Sequence, residues 1–376
     1  MNLQAAGARW FALRALKHQV WGVNRRLDPS VPLAAGAFLL LWSAACTSPR
    51  VSPQKLEALW YLRGEQSTQS FLAHADQISI VSPQVFSLDS NGVITGGIDA
   101  RVVAAAHEHH VKLVPLVMNP GFDQPSIHRV LNVPDARSRA IRSLAALCRD
   151  QHLDGIQFDI ENVNIRDKNA LTSFTRESVD SVHHAGCTLS AAVVPRTGED
   201  PGPTSYHKWI YENWRAAYDY KALADTLDFI SYMTYAQHTG GSPAGPVAGY
   251  PWMAQSLAYV LSLGVPPAKI SLGIPAYSDW WYPAYDSING SRMRGNDISY
   301  IAAESILAKS SVRAKWDDVQ KAPTAAWSEH DVYQYVWMEN ARTFIAKLSL
   351  VTKYHLRGYS VWVLGSEDPA TWRALK

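Results

Sequence analysis

One amide and two acids stand two positions apart near the middle of the chain, at Gln157, Asp159 and Glu161. If this segment is a strand, these three side chains point to one side and the apolar residues between them to the other. A buried charge is costly unless it is paired, so such a row indicates chemistry. The alternative is an edge strand with a hydrated face, but helical patterns on both sides favour a buried parallel sheet.

Other residues suited to chemistry on sugars follow other predicted strands. Asn119 comes just after the third strand, Tyr235 ends the sixth and Trp362 lies in the eighth. Trp280 and Trp281 lie in a predicted loop, where exposed aromatic rings stack on the apolar faces of sugars; packing inside the loop is the alternative. An acid, a second carboxylate, a phenol and an aromatic floor favour glycoside cleavage over phosphoryl or hydride transfer.

Strand patterns and helical patterns alternate along the chain, which predicts an α/β fold of the (β/α)₈ barrel type. The predicted strands are 59–62, 78–81, 111–117, 156–161, 189–194, 229–235, 270–274 and 359–364, and the clearest helices are 99–109, 135–150, 167–185, 253–263 and 338–354. A doubly wound sheet would need a glycine-rich phosphate turn after the first strand, which Leu62-Arg63-Gly64-Glu65 lacks. The long interval between strands seven and eight predicts an insertion at about 277–335, on the face where such barrels hold their active sites.

Composition limits the possible functions of the chain. Its 376 residues are 47% apolar, enough for a substantial core, and the net charge is only +2. No basic run interleaved with aromatic residues indicates nucleic-acid binding. The cluster His107-Glu108-His109-His110 lacks the spacing of a zinc helix and is read as a solvated helix end. We therefore predict no metal and no cofactor, and a monomer.

The amino terminus resembles an export signal. Basic residues precede an apolar run at 31–45, which is short for a membrane span and ends in small residues. Ser43-Ala44-Ala45-Cys46 resembles a bacterial lipobox, although Ser43 stands where leucine is usual. We therefore expect a signal segment at 1–46, lipid on Cys46, a tether at 47–55 and the barrel at 56–376, in an envelope lipoprotein facing the periplasm. A plain anchor or an uncleaved signal is the alternative.

Two further cysteines remain, Cys148 and Cys187. The first lies near the end of the helix before strand four and the second at the start of strand five, so both are expected at the amino-terminal rim of the barrel. An exported chain meets an oxidising compartment, which allows a disulfide. The alternative is two separate buried thiols, which the sequence slightly favours.

Three segments resemble glycoside hydrolase family 18, the chitinase family. Residues 154–161 are similar to its DGxDxDxE signature, residues 228–248 to its sixth strand and following loop, and residues 358–368 to its last strand. The resemblance extends over about 56–375. It is strongest to the bacterial branch that contains spore-germination muropeptide hydrolases and to chitobiase-like enzymes.

The resemblance implies a role for each candidate residue. Glu161 would be the general acid and the substrate's own 2-acetamido group the nucleophile, an exception to the two-carboxylate scheme. Asp159 would hold the acetamido N–H, Tyr235 would bind its oxygen and Trp362 would lie under the distorted sugar. Asp154 would fix the entry to the strand. The implied partner is a GlcNAc-containing glycan, either peptidoglycan or a chitin fragment, cleaved at β-1,4 bonds with retention of configuration.

Two positions depart from the family pattern. Gln157 replaces the middle acid of the signature; it would donate a hydrogen bond to Asp159 and tune the site. Ala236 follows Tyr235 where the family usually has Asp, and Gln237 or His238 would have to compensate. The alternative function is therefore a GlcNAc-glycan-binding protein with weak or no catalysis. The intact pair Asp159 and Glu161 favours the enzyme.

Overall fold

Eight parallel strands close into a barrel in the computed structural model, which describes residues 56–240, 242–286 and 290–376. The barrel strands, in order around the axis, are β1 (Glu57–Leu62), β2 (Ile80–Leu88), β5 (Leu116–Met118), β6 (Gly155–Asp159), β7 (Thr188–Val193), β8 (Ile230–Tyr232), β9 (Ile270–Pro275) and β15 (Gly358–Trp362). β1 pairs with both β2 and β15, which closes the ring. The (β/α)₈ prediction is confirmed. The short strands β3 (Ile94–Gly96) and β4 (Lys112–Leu113) both pair with β2.

Helices surround the barrel and connect its strands. They are α1 (Gly64–His74), α2 (Ala100–Glu108), α3 (Gln124–Asn132), α4 (Pro134–Asp150), α5 (Lys168–His184), α6 (Ser205–Ile210), α7 (Tyr220–Thr226), α8 (Tyr250–Ser262), α10 (Ala341–Lys353) and α11 (Ala370–Ala374). Within the described ranges, none is both long and apolar enough to cross a bilayer.

The alternation of side chains along β1 explains how the barrel is filled. Trp60 points outward into the shell between strands and helices, where its ring stacks on Trp372 with centroids 4.5 Å apart. Leu59 and Tyr61 point inward and belong to a separate small cluster inside the barrel. Burying one such apolar side chain contributes about 1.5–3 kcal/mol. The barrel is therefore a packed core with a polar layer near its carboxyl end.

A five-stranded antiparallel sheet is inserted between β9 and β15. Its order is β11 (Gly290–Ile298), β10 (Ser278–Asp286), β14 (Val332–Trp337), β13 (Ala322–Glu329) and β12 (Lys315–Asp317), and helix α9 (Tyr300–Lys309) packs against it. Because β10 follows directly from barrel strand β9, the sheet rises at the carboxyl-end face of the barrel. It thereby forms one wall of the pocket described below.

A disulfide joins Cys148 at the end of α4 to Cys187 just before β7, with Cα atoms 6.1 Å apart. The slightly favoured alternative of two separate thiols is therefore wrong. Both residues lie at the amino-terminal rim, as expected, because α4 ends there and β7 begins there. The predictions for 1–46, 47–55 and Cys46 concern residues outside the described part of the chain.

Candidate active site

A pocket of about 540 Å³ opens at the carboxyl ends of the barrel strands. The sequence-predicted residues in its lining are Asp159, Glu161, Tyr235 and Trp362, contributed by three different strand ends. β6 begins at Gly155, and this residue together with Asp154 just before it fixes the register of the strand. The Asp154 carboxylate accepts the Leu113 backbone N–H at 2.8 Å, and a Cβ on Gly155 would lie 2.2 Å from the Thr188 hydroxyl.

Glu161 lies two residues beyond the end of β6, where no strand pairing holds it. The buried amide of Asn119 replaces that pairing: its Oδ1 accepts the Glu161 backbone N–H at 3.1 Å and its Nδ2 donates to the Glu161 carbonyl at 3.0 Å. The Tyr218 hydroxyl donates to the preceding carbonyl of Ile160 at 2.8 Å. Asn119, expected to contact substrate, is fully buried and instead positions the backbone of Glu161.

Asp159 and Glu161 form a coupled acid pair in the pocket floor. Burial raises the pKa of both carboxyl groups, and the charge of Asp159 together with a hydrogen bond between the two raises the pKa of Glu161 further. The Gln84 amide donates to the Asp159 carboxylate at 3.3 Å, and this hydrogen bond lowers the pKa of Asp159. The raised pKa of Glu161 favours its protonated form, which is the form that a general acid requires.

Gln157 lies one layer below the pocket, fully buried inside the barrel. Its Oε1 accepts the Tyr61 hydroxyl at 2.7 Å, and its amide donates to Ser190 and Ser231 at 3.0 and 3.2 Å. Gln157 was expected to donate a hydrogen bond to Asp159, but Gln84 donates that bond. Gln157 was also expected to contact substrate, but it is fully buried and does not line the pocket. Gln157 instead orients Tyr61, which lines the pocket.

Tyr235 enters the pocket because the chain leaves the sheet early. The predicted strand 229–235 ends at Tyr232, and the Tyr235 backbone N–H bonds to the carbonyl of Met233 at 2.7 Å. Burial, together with the nearby acid pair, raises the pKa of the Tyr235 phenol well above its usual value, so it remains a hydrogen-bond donor. Ala236 follows with a positive φ of 53°, lines the pocket and is hydrogen-bonded through its backbone to Tyr277.

Gln237 and His238 are used by the loop itself. The Gln237 side chain accepts the Gly249 N–H at 2.8 Å, and the His238 ring is bonded to the Pro243 carbonyl at 3.1 Å. Both side chains are therefore engaged in hydrogen bonds within the loop. Compensation by either of them for the missing aspartate stays a prediction.

The three tryptophans proposed for sugar stacking have different positions. Trp362 is the last residue of β15, lines the pocket and packs against Tyr61 at 5.5 Å between ring centroids. Trp281 is fully buried beneath Gly295 and has no free face for a sugar. Trp280 packs on the α9 side of the inserted sheet. Neither indole is in the lining of this pocket. Alternation along β10 places the two side chains on opposite faces of the inserted sheet, and the full burial of Trp281 contradicts its predicted role. Trp280 is half-buried, and its contact with a sugar stays a prediction.

Several pocket residues were missed by the sequence analysis. An aromatic group lies at one end and consists of Phe122, Tyr206, Trp209 and Trp214. Arg63 and Asp297 lie in the same lining, contributed by the end of β1 and by β11. Arg63 and Phe122 come soon after strands, which could have marked them in the sequence. Only the three-dimensional path of the loops brings the whole set together.

Asp297 is one half of a second acid pair, in the pocket wall. It stands opposite Asp279 in the β10–β11 ladder. Burial and the charge of Asp297 raise the pKa of Asp279 to about 9, and burial also raises the pKa of Asp297 while Arg63 lowers it. Asp279 is therefore protonated at neutral pH and hydrogen-bonded to Asp297.

Comparison with known proteins agrees with this geometry. The model of the family described as glycosyl hydrolases family 18 matches residues 61–367. The chain belongs to this family. It is therefore a glycoside hydrolase by family.

Three curated relatives match most of the chain. The cortical fragment-lytic enzyme of Bacillus subtilis is 26% identical over 338 residues, covering 87% of this chain and 75% of the relative. The uncharacterized glycosylase YvbX of the same organism is 23% identical and covers 84% and 89%. The di-N-acetylchitobiase of Rattus norvegicus is 24% identical and covers 72% and 74%.

Solved structures show the same fold. The spore cortex-lytic enzyme SleL of Bacillus cereus superposes with a TM-score of 0.75 at 23% identity, covering 85% of this chain and 73% of that one. A chitinase from Chromobacterium violaceum gives a TM-score of 0.74 at 26% identity, covering 85% and 98%.

Proposed function

We propose that this protein is a retaining glycoside hydrolase that cleaves β-1,4 bonds next to N-acetylglucosamine, with Glu161 as general acid. The observation that carries the proposal is the buried pair Asp159–Glu161, in which burial and the neighbouring charge raise the pKa of Glu161. An acid with an ordinary pKa would be ionised at neutral pH and unable to protonate a leaving oxygen.

The pocket offers a role for each group in a substrate-assisted mechanism, in which the acetamido carbonyl of the substrate is the nucleophile. Glu161 transfers its proton to the glycosidic oxygen. Asp159 accepts the acetamido N–H and stabilises the positive charge that develops on the oxazolinium intermediate. The Tyr235 phenol donates to the acetamido oxygen, and Trp362 packs under the sugar. Water, activated by the ionised Glu161, then opens the intermediate with overall retention.

Peptidoglycan is the proposed natural substrate, and chitin fragments are the alternative from the same chemical class. The names of the relatives support GlcNAc-containing glycans: one is a cortical fragment-lytic enzyme and another a di-N-acetylchitobiase. The acetamido-binding groups of the pocket are common to both substrates, so they do not distinguish between them.

The test is hydrolysis of purified peptidoglycan strands and of chitooligosaccharides, with glucose oligomers of the same length as control. We expect cleavage only where a 2-acetamido group precedes the bond, a β-configured first product, and inhibition by a thiazoline analogue of the oxazolinium ion. Equal cleavage of glucose oligomers, or an α-configured first product, would exclude the substrate-assisted mechanism.

Ala236 is the proposed weak point of the site. Its φ of 53° lies in the left-handed region, which Asp and Asn tolerate better than Ala. Ala236→Asp therefore suits the backbone and adds an acceptor at the pocket surface. We expect kcat/KM on chitooligosaccharides to rise, with Ala236→Asn as the control for backbone relief alone. If Asp and Asn have the same effect, the carboxylate adds nothing.

We also propose that the protein is exported and held at the bacterial envelope through lipid on Cys46. The Cys148–Cys187 disulfide supports an oxidising compartment, and a peptidoglycan substrate lies outside the cytoplasm. Mass spectrometry of the membrane-extracted protein should find a diacylglyceryl group on an amino-terminal Cys46. A soluble product cleaved at another position would contradict the anchor.

A further inference from the structure

A second cavity, of about 670 Å³, lies on the α9 side of the inserted sheet and shares no lining residue with the catalytic pocket. We call it the α9 groove; it runs between the end of α9, the β12–β13 hairpin and the start of α10. Its lining combines buried apolar side chains, such as Leu307 and Met338, with the half-buried Trp316 and the exposed Arg313 and Arg342. An apolar floor beside two guanidinium groups suits an anion that also has an aliphatic part.

Arg342 is held flat against an aromatic ring in this groove. Its guanidinium carbon lies 3.7 Å from the centre of the Trp316 ring, and the Trp316 indole N–H donates to the Asp318 carboxylate at 3.0 Å, which fixes the ring. Stacking engages the face of a guanidinium and leaves its N–H edge available for a carboxylate. Arg342 therefore offers a preorganised fork of donors at the groove.

The backbone at both arginines is fixed by helix ends. Arg342 lies in the first turn of α10, whose start is closed by a capping box at Asn340. Arg313 follows the end of α9, where the Val312 N–H bonds to the Leu307 carbonyl at 2.9 Å. Because defined backbone supports both cations, the groove has the rigid support that a binding site requires.

The acids nearest to the groove are already engaged in other hydrogen bonds. Glu304, in the same lining, is hydrogen-bonded to Tyr300 on its own helix. The Asp317 carboxylate, in the neighbouring turn, accepts two backbone N–H groups at 2.8 Å each. Across the described ranges, no acid lies within ion-pair distance of either groove arginine. The two positive charges are therefore complementary to a carboxylate supplied from outside.

We propose that the α9 groove binds the carboxylate-bearing peptide stems of peptidoglycan, at a place separate from the bond that is cleaved. These stems are short peptides that combine alanine methyl groups with free carboxylates. The methyl groups match the floor at Leu307, Pro323 and Met338, and a carboxylate matches the fork of Arg342. The proposal rests on the function given above and chooses between its two substrates, because chitin carries no peptide.

Binding is tested without turnover, in a Glu161→Gln background titrated by calorimetry with the free tetrapeptide stem. We expect Arg342→Ala to weaken binding roughly 3- to 10-fold, since an exposed charge-assisted contact is lost, and Arg342→Lys to recover only part of it because the stacked fork is missing. Arg176→Ala is the matched control, since this exposed arginine on α5 lines neither cavity. Equal affinities for Arg342→Ala and Arg176→Ala would overturn the site, as would absence of binding in the background protein.

Two further probes test which chemistry the groove recognises. The same tetrapeptide with its carboxylates amidated should bind at least about fivefold more weakly, because it offers no anion to the two arginines. Inorganic phosphate should compete poorly, since it has no aliphatic part to cover the apolar floor. Equal binding of the amidated peptide would exclude carboxylate recognition. Competition by phosphate as effective as that of the peptide would leave a plain anion site and overturn the proposal.

Turnover separates this proposal from the proposed function. On intact peptidoglycan, Arg342→Ala and Arg313→Ala should each raise the polymer concentration at half-maximal rate roughly threefold or more, through loss of a second contact. Both variants should match the parent on chitotetraose and on peptidoglycan from which an amidase has removed the stems. An equal loss on intact and stripped peptidoglycan would overturn the groove. Absence of turnover in the parent on every glycan, with carboxylate-dependent peptide binding intact, would contradict the proposed function and leave the groove standing.

Discussion

Two pairs of acids with similar electrostatics and different surroundings lie at the pocket, one in its floor and one in the sheet that forms its wall. In both, burial raises the pKa of a carboxyl group so that one proton is retained near neutral pH, on Glu161 in the floor and on Asp279 in the wall. Asp279 and Asp297 face each other inside a regular antiparallel ladder. Glu161 lies beyond the end of its strand and is held by the side chain of Asn119.

This difference separates a reactive acid from a structural one. A proton on Asp279 is used in a hydrogen bond to Asp297, so it has an internal acceptor and no route to a substrate. Glu161 shares its proton with Asp159 but lines the open pocket, where a glycosidic oxygen would compete for it. A raised pKa alone therefore does not identify a catalytic acid; exposure to the pocket and a supported backbone do.

Replacement by the matching amide should separate the two pairs most strongly. Glu161→Gln keeps the shape and hydrogen-bonding capacity of the protonated acid but has no proton to transfer, so we expect kcat to fall roughly 10² to 10⁴-fold. Asp279→Asn also imitates the protonated acid, and here turnover should stay within about threefold. Rates on an aryl chitobioside would check this, and comparable losses in the two variants would remove the distinction.

The pH dependence of the rate should follow the floor pair alone. Activity needs Asp159 ionised and Glu161 protonated, and the pKa of each is raised by burial. The rate should therefore fall about tenfold per unit as the pH drops below the raised pKa of Asp159, and again as it rises above that of Glu161. The profile of kcat/KM measures both limbs. A shift of either limb in Asp279→Asn would mean that the two pairs are coupled.

Removing the hydrogen bonds that hold the Glu161 backbone should reduce the rate less than replacing Glu161 itself. Asn119→Ala removes both hydrogen bonds to the Glu161 backbone, and we expect kcat to fall about tenfold and the free energy of unfolding to fall by about 1–3 kcal/mol. Substrate binding in the Glu161→Gln background should change little by comparison. If binding falls as much as kcat, Asn119 shapes the pocket rather than the acid.

The pair Asp279–Asp297 should affect the stability of the protein rather than its rate. The pKa of Asp279 is about 9 in the folded protein, above the usual value near 4 in the unfolded chain. The folded state therefore binds the extra proton between these values, and stability falls as the pH rises from about 4 to about 9. Asp279→Asn removes this dependence and should raise the melting temperature by a few degrees at pH 8 but not at pH 4. Equal shifts at both pH values would contradict the raised pKa.

The barrel was predictable from the sequence because its signals are local. Helices such as α4 and α5 were predicted within one residue at each end, since apolar periodicity defines them directly. The end of β8 was predicted three residues late: Met233 to Tyr235 continue an apolar pattern, although their backbone has already turned out of the sheet.

The sequence predicted those site residues that lie in recognisable motifs and missed those that come from distant segments. Asp159, Glu161 and Tyr235 lie at or just after strand ends, and all three were expected at the pocket that they line. Trp281 looked like an exposed loop residue because nothing in its neighbours reveals that β10 has a partner strand covering it. Asp297 and the aromatic group at one end of the pocket come from segments distant in sequence, whose meeting depends on how the loops fold back over the barrel.

The disulfide described above encloses a particular part of the chain. Cys148 and Cys187 are 39 residues apart, and β6, the Glu161 loop and α5 all lie between them. A protease that cuts one peptide bond anywhere in this interval would produce two fragments that remain covalently joined. The general acid would stay attached to the rest of the barrel after such a nick, and its departure would require either a second cut or a reductant.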